Sequence, residues 1–364
     1  MGIKTFFIFS FALILSLILT PFVRKICLRF RFLDLPEKRK IHTQAIPRLG
    51  GIAVIASFIL TLLCVIIIDT YFRNIFSSKI IGFLIGVLLL IFLGLWDDIW
   101  GIKPIIKLSV QFIIALVLFY SGFRIGVFTN PFSGGEIQLP FWVSLFFTVF
   151  WILGMINAIN LIDGLDGLAT GVVFIAGLSL LFVGLYLKTL VTVILLSILC
   201  GSSLGFLFYN FPPAKIFLGD TGSMFLGLVL AIIGLAGMQY KVVTAVTLLI
   251  PICALAIPIY DTILAMWRRF LKKGSVFIAD KKHLHHRFLE LGLTQRQVAV
   301  AFYLATLYFG IIAFMFVLIP NEYALLLLFL LGIGLFFGIR TIGFIERKIK
   351  KMHTLERRLN ENKS

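Results

Sequence analysis

Eleven stretches of mainly apolar residues, each approaching the roughly 20 that a helix needs to cross a bilayer, dominate this 364-residue chain. They run approximately Thr5 to Val23, Leu49 to Ile68, Ile80 to Leu95, Ile105 to Ser121, Phe141 to Ile159, Leu168 to Leu187, Leu190 to Tyr209, Met224 to Met238, Val242 to Tyr260, Val298 to Ile319, and Tyr323 to Arg340. The eighth is the shortest. With 60% hydrophobic and 13% charged residues, the chain cannot be an ordinary soluble globule. The expected fold is all-α, a polytopic membrane helix bundle of about eleven transmembrane helices.

Lysine and arginine set the orientation. With eleven spans, 27 of the 33 Lys and Arg fall on one side, mainly in Arg24 to Arg48, Arg268 to Arg296 and the tail from Arg340. That side is read as cytoplasmic, which places the N-terminus outside and the C-terminus inside and favours an odd number of spans. The net charge of +17 then reflects topology and attraction to anionic lipid head groups, with no nucleic acid required. Thr20, Pro21 and Phe22 offer no small-residue cleavage site, so the first span reads as a retained helix. Cys27, Cys64, Cys200 and Cys253 show no paired spacing and suggest neither a disulfide framework nor a zinc site.

The segment NAINLIDGLDGLATG, Asn157 to Gly171, sets two carboxylates and two carboxamides between two apolar spans. An ionised acid beside a membrane core is costly, so it points to function. Asn157, Asn160, Asp163 and Asp166 recur every three residues, a spacing that on one continuous helix would turn the first and last to opposite faces. Gly164 and Gly167 therefore predict a helix ending near Asn160, a turn carrying both acids, and a new helix beginning near Leu168, whose start favours anions.

Four other connectors carry related chemistry. Pro36, Pro47 and Gly50-Gly51 shape the basic loop RKICLRFRFLDLPEKRKIHTQAIPRLGG, which can hold a polyanion or simply mark the inside face. The third span ends in GLWDDIWGIKP, where Asp97 and Asp98 are expected to diverge in a turn, and acids at a helix end suit a divalent cation or phosphoryl transfer. Lys107 follows one helical turn into the fourth span. In YNFPPAKIFLGDTGSMFLG, the prolines stop a helix and Gly219 to Ser223 reads as a tight acidic turn, with Asp220 a hard-cation ligand or an ordinary cap. In ADKKHLHHRFLELGLTQRQ, His283, His285, His286 and Arg287 lie among lysines. Neighbouring positive charge argues against a dication there and for a pyrophosphate. The glycine pairs Gly82/Gly86, Gly201/Gly205 and Gly334/Gly338 match small-residue packing; they suit internal contacts and leave a homodimer open.

The five connectors all fall on the expected cytoplasmic face. Together, DLPEKRKIHTQAIPRLGG, WDDIWGIKP, NAINLIDGLDGLATG, PPAKIFLGDTGS and DKKHLHHRFLELG resemble the polyprenyl-phosphate N-acetylhexosamine-1-phosphate transferase family, in family order. The eleven-span layout and the HLHHR form resemble the branch that starts teichoic acid, O-antigen or common-antigen synthesis. The resemblance implies transfer of GlcNAc-1-phosphate from UDP-GlcNAc to undecaprenyl phosphate in a bacterial cytoplasmic membrane, with Mg²⁺ or substituting Mn²⁺. UDP-GalNAc and UDP-MurNAc-pentapeptide are alternative donors. Carried over motif by motif, Asp220 would be the main metal ligand, and Asp97 and Asp98 would serve the lipid phosphate and metal. Asn160, Asp163 and Asp166 would hold the nucleotide-sugar region and metal shell, His285 and His286 the pyrophosphate, and Asn210 and Phe217 the nucleotide. The catalytic unit is expected over 1–341, with active-site loops 24–48, 96–104, 160–167, 210–223 and 261–297, followed by a basic tail at 342–364. The rival reading from a different class, an ion-coupled transporter, would place its acids near mid-span in repeat-related helices; here they cluster at span ends and no repeat is visible.

Overall fold

The computed structural model describes residues 2–35, 45–129, 136–237 and 284–318, with nine scattered positions between 329 and 344. The described residues form ten helices: α1 (Gly2–Phe30), α2 (Gly51–Ile68), α3 (Thr70–Trp100), α4 (Pro104–Tyr120), α5 (Phe141–Ile162), α6 (Leu168–Tyr186), α7 (Leu190–Asn210), α8 (Gly219–Gly237), α9 (Leu284–Glu290) and α10 (Gln295–Leu318). Eight of them are long and apolar enough to cross a membrane, and α4, at 17 residues, is a shorter apolar helix. The protein is thus a polytopic helical membrane protein, as its apolar stretches predict. Helices are the natural choice because they satisfy every backbone N–H and C=O group without water. The expected span Val242 to Tyr260 and the loop residue His283 lie outside the described residues, and Tyr323 to Arg340 is described only in part.

Two small antiparallel ribbons accompany the helices, β1 (Leu33–Asp34) with β2 (Ile46–Pro47), and β3 (Val127–Thr129) with β4 (Glu136–Gln138). The apolar-run reading did not include them. They are short pairings inside connectors, where hydropathy carries no signal.

Helix ends follow local chemistry. Asp69 caps α3 by accepting from the N–H of Phe72 at 3.0 Å, and Pro104 occupies the first turn of α4. Pro212 and Pro213 follow α7 directly. Helices α6, α7 and α8 are the most enclosed, while α1 exposes most of its apolar surface. Two of the glycine pairs, Gly82/Gly86 and Gly201/Gly205, are internal seams, while Gly338 of the third lies outside the described residues. A Cβ on Gly201 would stand 2.9 Å from the Cβ of Ala12, and one on Gly205 2.7 Å from the Leu13 carbonyl, so α7 lies against α1. Gly86 likewise faces Leu118 of α4.

The chain alternates direction, so the C-terminal ends of α1, α3, α5 and α7 meet the N-terminal ends of α2, α4, α6 and α8. Backbone bonds knit that end together. Gly50 and Gly51 donate to the carbonyls of Phe217 and Leu218 at 2.9 and 2.8 Å, and Phe217 donates to Pro47 at 2.8 Å. Arg296, at the start of α10, donates from Nε to the Pro212 carbonyl at 2.7 Å, which brings α10 to the same end.

Candidate active site

The acidic pair of α3 lies at this end. The helix continues through both residues to Trp100, closed by Gly101 at φ 72°, so Asp97 and Asp98 sit on a helical turn rather than in a loop. Both are buried, and successive helix positions send them to different partners. Asp97 accepts from the N–H of Ile102 at 3.0 Å and forms an ion pair with Lys107 of α4.

Asp98 reaches across to α8. Its Oδ1 accepts from the N–H of Asp220 at 2.9 Å, and its Oδ2 from the N–H and hydroxyl of Thr221 at 3.0 and 2.6 Å. It therefore caps the first turn of α8 from a distant segment, where free N–H groups and the helix dipole favour an anion. Gly219 makes the approach feasible. Its φ is 75°, and a Cβ there would stand 2.6 Å from the Arg48 carbonyl and 2.9 Å from each Asp98 carboxylate oxygen.

Asp220 stands between two bases. Arg48 contacts its Oδ2 at 3.3 Å and Lys107 its Oδ1 at 3.3 Å, while the Nε of Arg48 lies 3.2 Å from Oδ1 of Asp98. Each base thus has a private acid, Asp98 or Asp97, and the two share Asp220.

The α5–α6 turn forms the opposite wall. Asn160 accepts at Oδ1 from the Ser223 hydroxyl of α8 at 2.6 Å. Asp163, the residue just after α5, has no hydrogen-bond partner for its carboxylate among the described residues, though it is only half-buried. Burial, joined by the negative charges of Asp220, Asp98 and Asp166, holds its carboxyl well above the ordinary value, and Arg48 offsets part of this. Asp166 turns away, accepting from the N–H of Ala214 at 2.9 Å. Asn210 is buried; its Oδ1 accepts from the N–H of Gly167 and the hydroxyl of Thr170, and its Nδ2 donates to the Ile216 carbonyl at 3.0 Å. It ties the α6 start to the 211–218 connector, with Tyr303 of α10 donating to the Gly167 carbonyl at 2.7 Å.

A match to the glycosyl transferase family 4 model covers residues 80–238. Over 96% of both chains, the sequence is 36% identical to a Bacillus subtilis (strain 168) protein described as a probable undecaprenyl-phosphate N-acetylglucosaminyl 1-phosphate transferase. The chain belongs to glycosyl transferase family 4. It is also 32% identical to the Escherichia coli (strain K12) undecaprenyl-phosphate alpha-N-acetylglucosaminyl 1-phosphate transferase, over 94% of this chain and 92% of that one. A decaprenyl-phosphate N-acetylglucosaminephosphotransferase of Mycolicibacterium smegmatis (strain ATCC 700084 / mc(2)155) is 33% identical over 83% of this chain and 79% of its own.

In this family 4 chain, Asp97, Asp98, Lys107 and Asp220 form one ion-paired cluster with Arg48 across α3, α4 and α8. Asn160 reaches the same turn of α8 through Ser223, with Asp163 three residues on, and Asp166 and Asn210 bind the 211–218 connector. Phe217 is half-buried and joins the backbone pairing with the 45–50 segment. Arg287 is buried on α9. His285 and His286 belong to the same helix, but their side chains lie outside the described residues.

Sequence reasoning missed Arg48, Thr221 and Ser223. Arg48 was hidden among eight Lys and Arg of its loop, and only its place in PRLGG, beside a glycine pair that pins the loop to 217–218, set it apart. The two hydroxyls were visible in GDTGS, beside a cation or phosphate position or as ordinary caps, but neither was singled out as bonding to a distant segment.

Proposed function

We propose that the protein transfers GlcNAc-1-phosphate from UDP-GlcNAc to undecaprenyl phosphate, giving undecaprenyl-diphospho-GlcNAc and UMP, at the cytoplasmic face of a bacterial membrane. The relatives' names support the substrates. The observation that carries the chemistry is Asp220, held 3.3 Å from both Arg48 and Lys107 at the start of α8.

A magnesium ion fits this donor set. Among the described residues no three His, Cys, Asp or Glu side chains form a ready-made metal cage. Mg²⁺ does not need one, since it keeps several waters and takes one or two carboxylates together with substrate phosphates. Asp220, whose two long contacts to Arg48 and Lys107 a cation could replace, and Asp163 would be the carboxylates to hold it, and Mn²⁺ would suit them also. Bound there, the ion would neutralise charge on the diphosphate and polarise its oxygens.

The remaining work falls to the protein's own groups. An oxygen of the lipid phosphate attacks the sugar-bearing phosphorus of UDP-GlcNAc, and the bond from that phosphorus to the oxygen of the nucleotide phosphate breaks, releasing UMP. A phosphate monoester has its second pKa near 6, so the attacking group is already largely dianionic at neutrality and needs no strong base. Arg48 and Lys107 relieve the repulsion between two polyanions. Asp97 orients Lys107 for this task, Asn160 positions the nucleotide sugar, and the role of binding the diphosphate falls, by the motif HLHHR, to His283, His285, His286 and Arg287.

Purified protein supplied with undecaprenyl phosphate, Mg²⁺ and a panel of UDP-GlcNAc, UDP-GalNAc and UDP-MurNAc-pentapeptide tests the proposal. UMP should appear with UDP-GlcNAc. Its absence with every donor would overturn the reading, and exchange of labelled UMP into UDP-GlcNAc without any lipid would replace direct attack by a covalent intermediate.

A further inference from the structure

We infer that Arg48 is an exchange residue: it holds Asp220, and gives that carboxylate up to the divalent cation as its guanidinium takes a substrate phosphate. The inference rests on the transferase reading above and assigns a role to a side chain outside the acidic motifs.

Arg48 lies between two acids. Its Nε is 3.2 Å from Oδ1 of Asp98, a carboxylate immobilised by three donors from the first turn of α8. Its Nη2 donates to Oδ2 of Asp220 at 3.3 Å, long for a charge-assisted bond. A guanidinium has five N–H donors. Among the described residues Arg48 engages its Nε and Nη2 groups, and its side chain is 38% exposed. A guanidinium drawn toward a phosphate through its other donors would loosen the long contact to Asp220.

The charges give a reason for the move. Asp97, Asp98 and Asp220 share Arg48 and Lys107. A dication at Asp220 and Asp163 would meet the positive end of Arg48 directly, and a phosphate entering beside it would attract that same group. Cation and phosphate should then bind cooperatively, because each lowers the cost of the other's arrival. Arginine suits the phosphate end of this exchange, since its planar fork matches phosphate oxygens in a way an ammonium does not.

The test uses full-length protein in detergent. Mn²⁺ binding is read by electron paramagnetic resonance without substrate, and UDP-GlcNAc and undecaprenyl phosphate binding by calorimetry with Mg²⁺ present. Arg48→Met, checked for folding by its thermal transition and elution, should bind Mn²⁺ more tightly than the wild type and bind one of the two phosphates about ten-fold or more weakly. The weakened arm identifies the donor or the lipid as the partner. Arg48→Lys keeps the charge without the fork, so it should leave Mn²⁺ binding near wild type and still weaken the phosphate. Unchanged phosphate binding in both variants, or unchanged or weaker Mn²⁺ binding in Arg48→Met, overturns the exchange. If Arg48→Met does not fold, Arg48→Lys decides the matter through its phosphate arm. Wild-type protein that binds neither UDP-GlcNAc nor Mn²⁺ would instead sink the transferase reading itself.

Discussion

Asp98 and Thr221 are joined across 123 residues by two bonds to a single carboxylate oxygen, one from the backbone N–H at 3.0 Å and one from the hydroxyl at 2.6 Å. The contact locks the last turn of α3 to the first turn of α8, and so sets where Asp220 stands. In this fold Asp98 caps a helix from a distant segment.

Asp98 and Asp220 should therefore fail differently. Asp98→Ala leaves buried donors unanswered and should lower stability by about 2 kcal/mol or more, since each orphaned group costs roughly 1–3 kcal/mol. Asp220→Asn removes a charge from a crowded acidic cluster and should keep or raise the unfolding temperature while abolishing nearly all UMP release. Thermal unfolding beside the transferase assay separates them; an Asp98→Ala protein as stable as wild type would remove the capping role.

Gly219 should tolerate no side chain. A left-handed residue with a Cβ costs roughly 1–2 kcal/mol from conformation alone, and here the Cβ would also press on the Arg48 carbonyl and on Asp98. Gly219→Ala is expected to lose activity and stability together. Gly126, where a Cβ meets nothing within 4 Å, is the control, and Gly126→Ala should remain near wild type in both measurements.

Asp163 should make the empty protein sensitive to alkali. Its carboxyl is raised in the fold, so it holds its proton to higher pH folded than unfolded. The stability this confers is complete below the ordinary carboxylate value near 3.9 and is lost as pH rises through the raised value. With chelator present, unfolding temperatures followed from about pH 4 to about pH 8 should fall more steeply for wild type than for Asp163→Asn. Parallel profiles would show that Asp163 ionises normally.

Beneath the site, Gln111 of α4 is fully buried, accepts from Asn157 of α5 at 2.7 Å, and lies with its Nε2 3.5 Å from the sulfur of Met224 in α8. Hydrogen bonds between membrane helices average about 0.6 kcal/mol, with a maximum near 1.7. Gln111→Leu should cost a similar amount in detergent unfolding. It should also lower kcat, because Lys107 lies one turn away on the same helix. A change in stability with kcat intact would confine Gln111 to packing.

The bundle was legible in the chain because bilayer burial depends on apolar content averaged over some 20 consecutive residues. All nine expected spans within the described segments are helices, and the α5–α6 break differs from its expected place by two residues, ending at Ile162. The five connectors were also legible as chemistry, since ionisable groups at span ends are costly unless used. The start of α8 was not. GDTGS looks like a turn ahead of a helix at Met224, yet Gly219 to Ser223 is already helical, because the partner that satisfies its N–H groups arrives from Asp98, more than a hundred residues earlier. Pairing was equally invisible, since the bases that Asp97 and Asp98 choose, the burial of Asn210 and the double contact of Arg48 all depend on helices packing side by side. By itself the sequence determined how many apolar segments there are, which polar groups interrupt them and what chemistry those groups offer. Which carboxylate caps a helix and which pairs with a base was decided only by the tertiary structure, because hydrogen bonds and ion pairs act over about 3 Å and that proximity is created by folding.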